Sequence, residues 1–504
     1  MSATTIVSSP GKVLAAGGYL VLDRAYSGVV ISTSSRFYAV IESGDGASCG
    51  ANEIVVRSPQ FNLAEWRYEV TFVDGRVRVE QLETSKAPKT NKFVHLALQH
   101  TLTLALEIHG GDPAVLEKDL SHGLDIAVVG DNDFYSQRAK LESLGLPNTL
   151  ASLSQIPPFS HNDVQLSEVH KTGMGSSAAL ITSLVSALLL RFSVISPSDF
   201  AETGSADRRL AHNAAQFVHC LAQGKVGSGF DVAAAVFGSQ LYTRFDPAVL
   251  QPLMNDDASE SRALAPILSS PAWNYRVEPF CLPPLTRLVL ADVDAGSDTP
   301  SFIGQVLKWR KENPEAASTL WASINQSNQS LAKRLLYLSQ AHASHPADYE
   351  SAVRRISDLP PSEWQQHRKD PNLSLPAQVI LQVFYLVYEH AQAIRQHMRS
   401  MGKGANVHIE PPEQTALLDA CMSQAGVICG GVPGAGGYDA IWLLVCEVPG
   451  TPEEQRPLHR VERVWSTVKD LSVSPLAAVE STAHGARIEQ LDAIRGLREA
   501  IARG

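Results

Sequence analysis

The sequence predicts an α+β protein of two domains, and three observations predict it. Its 504 residues exceed what one hydrophobic core usually serves. Short runs of β-branched and aromatic residues alternate with stretches of helical period. No internal repeat at a fixed spacing points instead to a solenoid or propeller. Lys and Arg number 42 against 52 Asp and Glu, a net charge of −10, which argues against nucleic acid or an anionic membrane as the main partner. A locally basic pocket for a small anion remains compatible with that balance.

In chain order, Ser9-Pro10-Gly11-Lys12 precedes an apolar run from Val13 to Leu22, and Val29 to Ile41 is rich in strand-forming residues. Ile54 to Arg57, Tyr68 to Val73 and Val77 to Val79 continue as an antiparallel ribbon. Phe93, Leu96, Leu98 and Leu102 favour a helix from Lys92 to Glu107. Leu124 to Val129 reads as a strand ending at Gly130-Asp131-Asn132-Asp133. Residues 140–165 read as a loop, and Val164 to Val169 as a strand entering Lys171-Thr172-Gly173-Met174-Gly175-Ser176-Ser177 and a long helix. The most apolar stretch, Ala178 to Ile195, is interrupted by Thr182, Ser183, Ser186, Arg191 and Ser193, so it reads as a core helix and not a membrane span.

A second helix, Ala206 to Gln223, runs into Gly224-Lys225-Val226-Gly227-Ser228-Gly229-Phe230-Asp231. The acidic, Ser- and Pro-containing residues 251–275 read as a connection, which places the domains at 1–275 and 276–504. The second half opens with a strand, Leu288 to Val293, and the turn Gly296-Ser297-Asp298-Thr299-Pro300. Ile380, Val383, Phe384 and Val387 form one apolar helical face. Glu413 to Ser423 is a further helix, after which Gly430 to Gly437 leads into a strand from Ile441 to Val445.

Six cysteines, Cys49, Cys220, Cys281, Cys421, Cys429 and Cys446, form no C-x-x-C pair and read as buried thiols of a reducing compartment, here the cytoplasm. The opening MSATTIVSSPGKV has neither a basic n-region nor a long apolar stretch, so no secretory signal is expected. The 16 histidines show no metal-ligand spacing.

Three segments can carry chemistry. Gly173-Met174-Gly175-Ser176-Ser177-Ala178-Ala179 stands ahead of a helix, where glycines admit a bulky anion and the helix offers unpaired N–H groups with the positive end of its dipole. A plain helix cap in a glycine turn is the rival reading. No G-x-x-x-x-G-K-[ST] loop and no protein-kinase signature set occurs, so phosphoryl transfer here needs another fold. Asp231, after Ser228-Gly229, is either a cap or a carboxylate that orients an attacking oxygen. Lys12 is either a solvated cation or a charge facing a transferring phosphoryl group. Pro433-Gly434-Ala435-Gly436-Gly437 is either a hairpin connection or a place of close backbone approach to a ligand.

Together these segments resemble the GHMP kinase superfamily, which includes galactokinase, homoserine kinase, mevalonate kinase and phosphomevalonate kinase. The order matches: a Pro-Gly-Lys start, a central G-[LM]-G-S-S-A-A loop and a late glycine-rich loop. SPGKVLAAGGYLVLD, GDNDFYSQ, KTGMGSSAALITSLVSALL, AQGKVGSGFDVAAAVFGS, AGSDTPS, PPEQTALLDA and GVPGAGGYDAIWLLV are most similar to the fungal-type phosphomevalonate kinases, over residues 9–445. The resemblance implies an N-terminal ribosomal-S5-like domain and a C-terminal ferredoxin-like domain. It also implies ATP-dependent conversion of 5-phosphomevalonate to 5-diphosphomevalonate, on the route to isoprenoids and sterols.

Carried onto this chain, the resemblance makes Lys12 and Asp231 catalytic. Lys171, Gly173, Met174, Gly175, Ser176, Ser177, Ala178 and Ala179 would bind ATP, with Ser177 a Mg²⁺ ligand. Tyr19, Ser228, Ser297, Thr299, Gly434, Ala435 and Gly436 would meet the substrate. Two departures stand out: Gly17-Gly18-Tyr19 replaces a Gly-Glu-His, and His219 falls where mevalonate kinases carry a Mg²⁺-binding glutamate. Mevalonate kinase, diphosphomevalonate decarboxylase and a non-catalytic metabolite sensor of the same fold are the alternative readings. The sequence leaves the oligomeric state open.

Overall fold

The computed structural model describes residues 4–44, 49–82, 89–254, 263–293, 299–367 and 369–502. Thirteen named strands among them fall into two sheets. They are β1 (Thr5–Ala16), β2 (Ser27–Ser43), β3 (Glu53–Arg57), β4 (Glu65–Val73), β5 (Arg76–Gln81), β6 (Leu124–Gly130), β7 (Gln240–Thr243), β8 (Arg276–Pro279), β9 (Thr286–Val293), β10 (Val427–Gly431), β11 (Ala440–Cys446), β12 (Val473–Leu476) and β13 (Arg487–Ile488).

The larger sheet has the order β13-β1-β2-β6-β3-β4-β5, with β7 joining β2 to β8. Only β3 and β6 pair in parallel, and the others are antiparallel. The helices Ser176–Arg191 and Phe230–Phe237 pack on β1 and β2, backed by Lys92–Ile108 and Ala206–Gln223. The stretch read as a core helix is therefore that: Ile181, Leu184, Val185, Leu188 and Leu189 are fully buried. No helix among the described residues is long and apolar enough to cross a membrane.

The smaller sheet, β10-β11-β9-β12, is antiparallel throughout. Alternation along β9 splits its residues between two faces. Val289, Ala291 and Val293 pack with Leu417, Leu418, Val461 and Trp465 of the helices Pro412–Met422 and Pro457–Thr467. Leu288 and Leu290 join the large core that contains Ile380, Val383, Phe384 and Val387, all from Leu375–Ala405. A sheet covered on both sides explains why β11 is apolar at every position.

Three local expectations need correction. Val164 to Val169 forms no strand; its one β-bridge joins Gln165 to Asn62, whose N–H also donates to the Val164 carbonyl at 3.0 Å. Its residues alternate between exposed and half-buried, so no second face drives it into a sheet. Ser9-Pro10-Gly11-Lys12 lies inside β1 and does not precede it, and the strand stops at Ala16. Proline is tolerated there because the β1–β2 register shifts between Pro10 and Lys12. The loop expected over residues 140–165 holds two short helices, Arg138–Ser143 and Leu150–Leu153. All six cysteines are free; five are buried and Cys281 is exposed.

Candidate active site

Lys12 leaves β1 beside the central glycine turn. Its backbone N–H donates to the Met174 carbonyl at 2.9 Å, and its Nζ donates to the Gly173 carbonyl at 3.0 Å. The ammonium also lies 5.4 Å from the centre of the Phe230 ring, one residue before Asp231. Burial depresses the Lys12 pKa, while the charges of Asp231 and Asp439 pull it upward. The expected cation and carboxylate are thus brought together at the Gly173 turn, where a third charged group, Asp439, joins them.

The turn itself ends at Gly175, whose left-handed φ of 80° starts the helix Ser176–Arg191. A Cβ there would come within 3.0 Å of the Lys12 side chain, so glycine serves both the turn and the passage of Lys12. Met174, Ala178 and Ala179 are buried in the core, with the Ala179 N–H already on the Gly175 carbonyl at 3.1 Å. Ser176, Ser177 and Gly175 are half-buried, and Lys171 and Gly173 are exposed. The base of the turn is fixed by Thr172, whose hydroxyl donates to the Asp133 carbonyl at 2.5 Å. The Gly130-Asp131-Asn132-Asp133 segment is accordingly a scaffold. Asp133 accepts Ser35 Oγ and the Ala477 N–H, both at 2.7 Å, and Asp131 accepts the Arg36 N–H at 2.6 Å.

Asp231 stands in the first turn of Phe230–Phe237, after Gly229 at φ 84°. Its Oδ1 accepts the Val232 N–H at 2.9 Å, and its Oδ2 is 3.7 Å from His219 Nδ1. The N-cap is Gly229, without a side-chain cap bond, so Asp231 is a first-turn carboxylate with one oxygen on the Val232 N–H and the other toward His219. The approach to Asp231 is pinned from the end of β7. Tyr242 Oη donates to the Ser228 carbonyl at 2.8 Å, and Arg244 donates to the carbonyls of Val226 at 3.0 Å, Gly227 at 2.6 Å and Leu22 at 2.5 Å. One guanidinium thus ties the segment after Lys12 to the segment before Asp231.

The third glycine loop joins β10 to β11 and closes over the segment that follows β1. Gly434 N–H meets the Leu14 carbonyl at 3.4 Å, and Tyr19 Oη donates to the Ala435 carbonyl at 2.8 Å. Tyr19 is 2% exposed, so its hydroxyl supports the loop from beneath. Gly437 N–H donates to the Ile409 carbonyl at 2.8 Å. Ile409 is held in turn by its neighbour Glu410, which Arg395 grips at 2.7 and 3.1 Å. Ser228 is half-buried; Thr299 opens the helix Thr299–Glu312, and Ser297 lies outside the described residues.

Gly436 gives a direct test of this loop. At φ 77° its added Cβ would fall on the Ile409 carbonyl, whereas Gly434, at φ 66°, has open space around it. Gly434→Ala should cost the left-handed backbone penalty of about 1–2 kcal/mol. Gly436→Ala should cost more, seen as a larger fall in melting temperature. Equal melting temperatures for the two variants would contradict the packing described.

Sequence reasoning missed Asp439 and Arg244. Asp439 ends the GVPGAGGYD run and was readable only as part of a flexible connection. Arg244 had no signal, because its partners are carbonyls that every residue possesses.

The model of the GHMP kinases N terminal domain matches residues 146–239, which include the central turn and Asp231. A protein named phosphomevalonate kinase, peroxisomal, from Arabidopsis thaliana is 36% identical over 97% of this chain and 96% of its own. A phosphomevalonate kinase from Aspergillus fumigatus is also 36% identical, over 89% of this chain and 88% of its own. Among solved structures, a Listeria innocua protein, Lin0012, aligns with a TM-score of 0.62 at 15% identity, covering 97% of this chain and all of that one (100%). The Streptococcus pneumoniae phosphomevalonate kinase in complex with phosphomevalonate and AMPPNP aligns with a TM-score of 0.56 at 15% identity, covering 94% and 99%.

Proposed function

Because the chain belongs to the phosphomevalonate kinase family of the GHMP kinases, we propose that the cleft at Lys12, Gly173 and Asp231 is where ATP and 5-phosphomevalonate react. The enzyme transfers the γ-phosphoryl group of ATP to its acceptor, giving 5-diphosphomevalonate and ADP. A bond forms between a phosphate oxygen of the acceptor and the γ-phosphorus, and the bond from that phosphorus to the ADP oxygen breaks. A phosphomonoester has its second pKa near 6, so the acceptor is largely dianionic at pH 7 and needs little deprotonation. The obstacle is charge, since two anionic phosphates must come nearly into contact.

The first-turn amides of Ser176–Arg191, with Lys171, Ser176 and Ser177, would hold the ATP phosphates. Lys12 would face the transferring group, with Asp231 and Asp439 keeping it charged and aimed. Ser228, Ser297, Thr299 and the backbone of Gly434 to Gly436 would meet the acceptor. The contact that carries this reading is the bond from Lys12 Nζ to Gly173, which joins the first and central motifs beside Asp231.

The residues present fit Mg²⁺. Ser177 and Asp231 offer hard oxygens, and no described group of three or more His, Cys, Asp or Glu forms a dedicated cage. That suits a cation that arrives on ATP phosphates and keeps several waters. When bound it would neutralise charge on the phosphate oxygens. The proposed division into two domains is supported by a second sheet whose four strands all come from Thr286 onward, although β8 and β13, also beyond residue 275, join the larger sheet. A reducing compartment, for which we propose the cytoplasm, is supported by the six free cysteines.

ADP release should be measured with phosphomevalonate, mevalonate and diphosphomevalonate side by side. Turnover is expected with phosphomevalonate and not with the other two. Turnover with mevalonate alone, or ATP binding without turnover on any acceptor, would overturn the assignment.

A further inference from the structure

His219 sits on the helix Ala206–Gln223, 2% exposed, between two groups with separate assignments. Its Nε2 lies 3.2 Å from Ser177 Oγ and 3.2 Å from Gln223 Nε2. Its Nδ1 lies 3.7 Å from Asp231 Oδ2, an electrostatic contact too long for a hydrogen bond. The Phe93 ring closes one side, with centroids 6.3 Å apart.

A neutral imidazole has one N–H and one lone pair, and its neighbours decide which nitrogen carries which. The Gln223 amide nitrogen can only donate, so Nε2 must accept. The N–H then falls on Nδ1, which faces the Asp231 carboxylate across 3.7 Å. The Gln223 contact selects the tautomer, and the Asp231 charge, 3.7 Å from Nδ1, favours the same one electrostatically. Ser177 shares that Nε2 lone pair with Gln223, directs its proton there and turns its own lone pairs toward the phosphate turn.

We propose that His219 is the positioning residue that sets the hydrogen-bond polarity of the site, making Ser177 an oxygen donor to a cation and turning a ring N–H toward the Asp231 carboxylate. The proposal rests on the phosphoryl-transfer reading above, but its test reads cation-dependent nucleotide binding and can fail separately.

Two conservative variants separate the contacts. His219→Asn keeps an amide near the Nδ1 position and loses the acceptor at Nε2. His219→Gln places an amide near Nε2 and loses the donor toward Asp231. AMPPNP binding to the full-length protein should be measured by calorimetry with and without Mg²⁺, alongside kcat. His219→Asn should weaken Mg²⁺-dependent binding roughly 10–100-fold, the usual effect of removing an outer partner of a metal ligand, with binding in EDTA unchanged. His219→Gln should keep the Mg²⁺-dependent gain and lower kcat. Ser177→Ala should lose that gain by itself, and adding His219→Asn to it should cost nothing further.

The proposal falls if His219→Asn binds AMPPNP with Mg²⁺ as the wild type does, or if its loss is the same in EDTA. It also falls if the double variant shows additive losses. Should His219→Asn fail to fold by circular dichroism, retention of the Mg²⁺ gain by Ser177→Ala overturns the proposal alone. A wild-type protein that binds AMPPNP yet never turns over phosphomevalonate would sink the functional reading and leave these binding comparisons intact.

Discussion

Lys12→Met should lower kcat with phosphomevalonate roughly 10²–10⁴-fold, a loss of about 3–5 kcal/mol of transition-state stabilisation. Methionine has nearly the length of the lysine stem, so the packing beside Phe230 survives and only the cation is removed. The charge matters because the transferring group passes between two anions, and Lys12 is placed at the turn that would cradle one of them. The half-buried position strengthens the effect, since a charge partly screened from water acts over a lower effective dielectric. Steady-state kinetics and a melting curve decide it. A near-wild-type kcat in a folded Lys12→Met protein would remove Lys12 from the mechanism.

Asp231→Asn should also reduce turnover roughly 10²–10⁴-fold, the range for a positioned catalytic group. The amide oxygen can still accept the Val232 N–H, so the helix start is preserved and stability should change little. What disappears is one of the two carboxylates that pull the Lys12 pKa upward against burial. The sign follows directly. With Asp231 neutral, Lys12 loses its proton at lower pH, so the alkaline fall of the residual activity should begin earlier than in the wild type. An unshifted alkaline limb, with kcat unchanged, would reduce Asp231 to a first-turn acceptor for the Val232 N–H.

Much of the fold was legible because periodicity reports burial. Ile380, Val383, Phe384 and Val387 lie on one face and are all buried, as that spacing demands. The helix Ala206–Gln223 has the bounds its pattern gave. Val164 to Val169 misled because a short apolar–polar alternation becomes a strand only where a partner edge is free, and such partners are remote in sequence. The Gly130-Asp131-Asn132-Asp133 segment looked eventful, yet its carboxylates hold backbone and hydroxyl groups of the scaffold.

By itself the sequence determined the groups the chemistry needs: a lysine after Pro10-Gly11, a glycine turn opening a helix at Ser176, an aspartate at a helix start and a late glycine loop. These are local because left-handed backbone, capping and dipole direction act within one turn of chain. Tertiary structure alone decided who stands beside whom. It set Asp439 against Lys12, Arg244 across three carbonyls and His219 between Ser177 and Asp231. Hydrogen bonds and ion pairs reach only a few ångströms in space, however far apart their partners are along the chain, so packing assigns those partners and residue order does not.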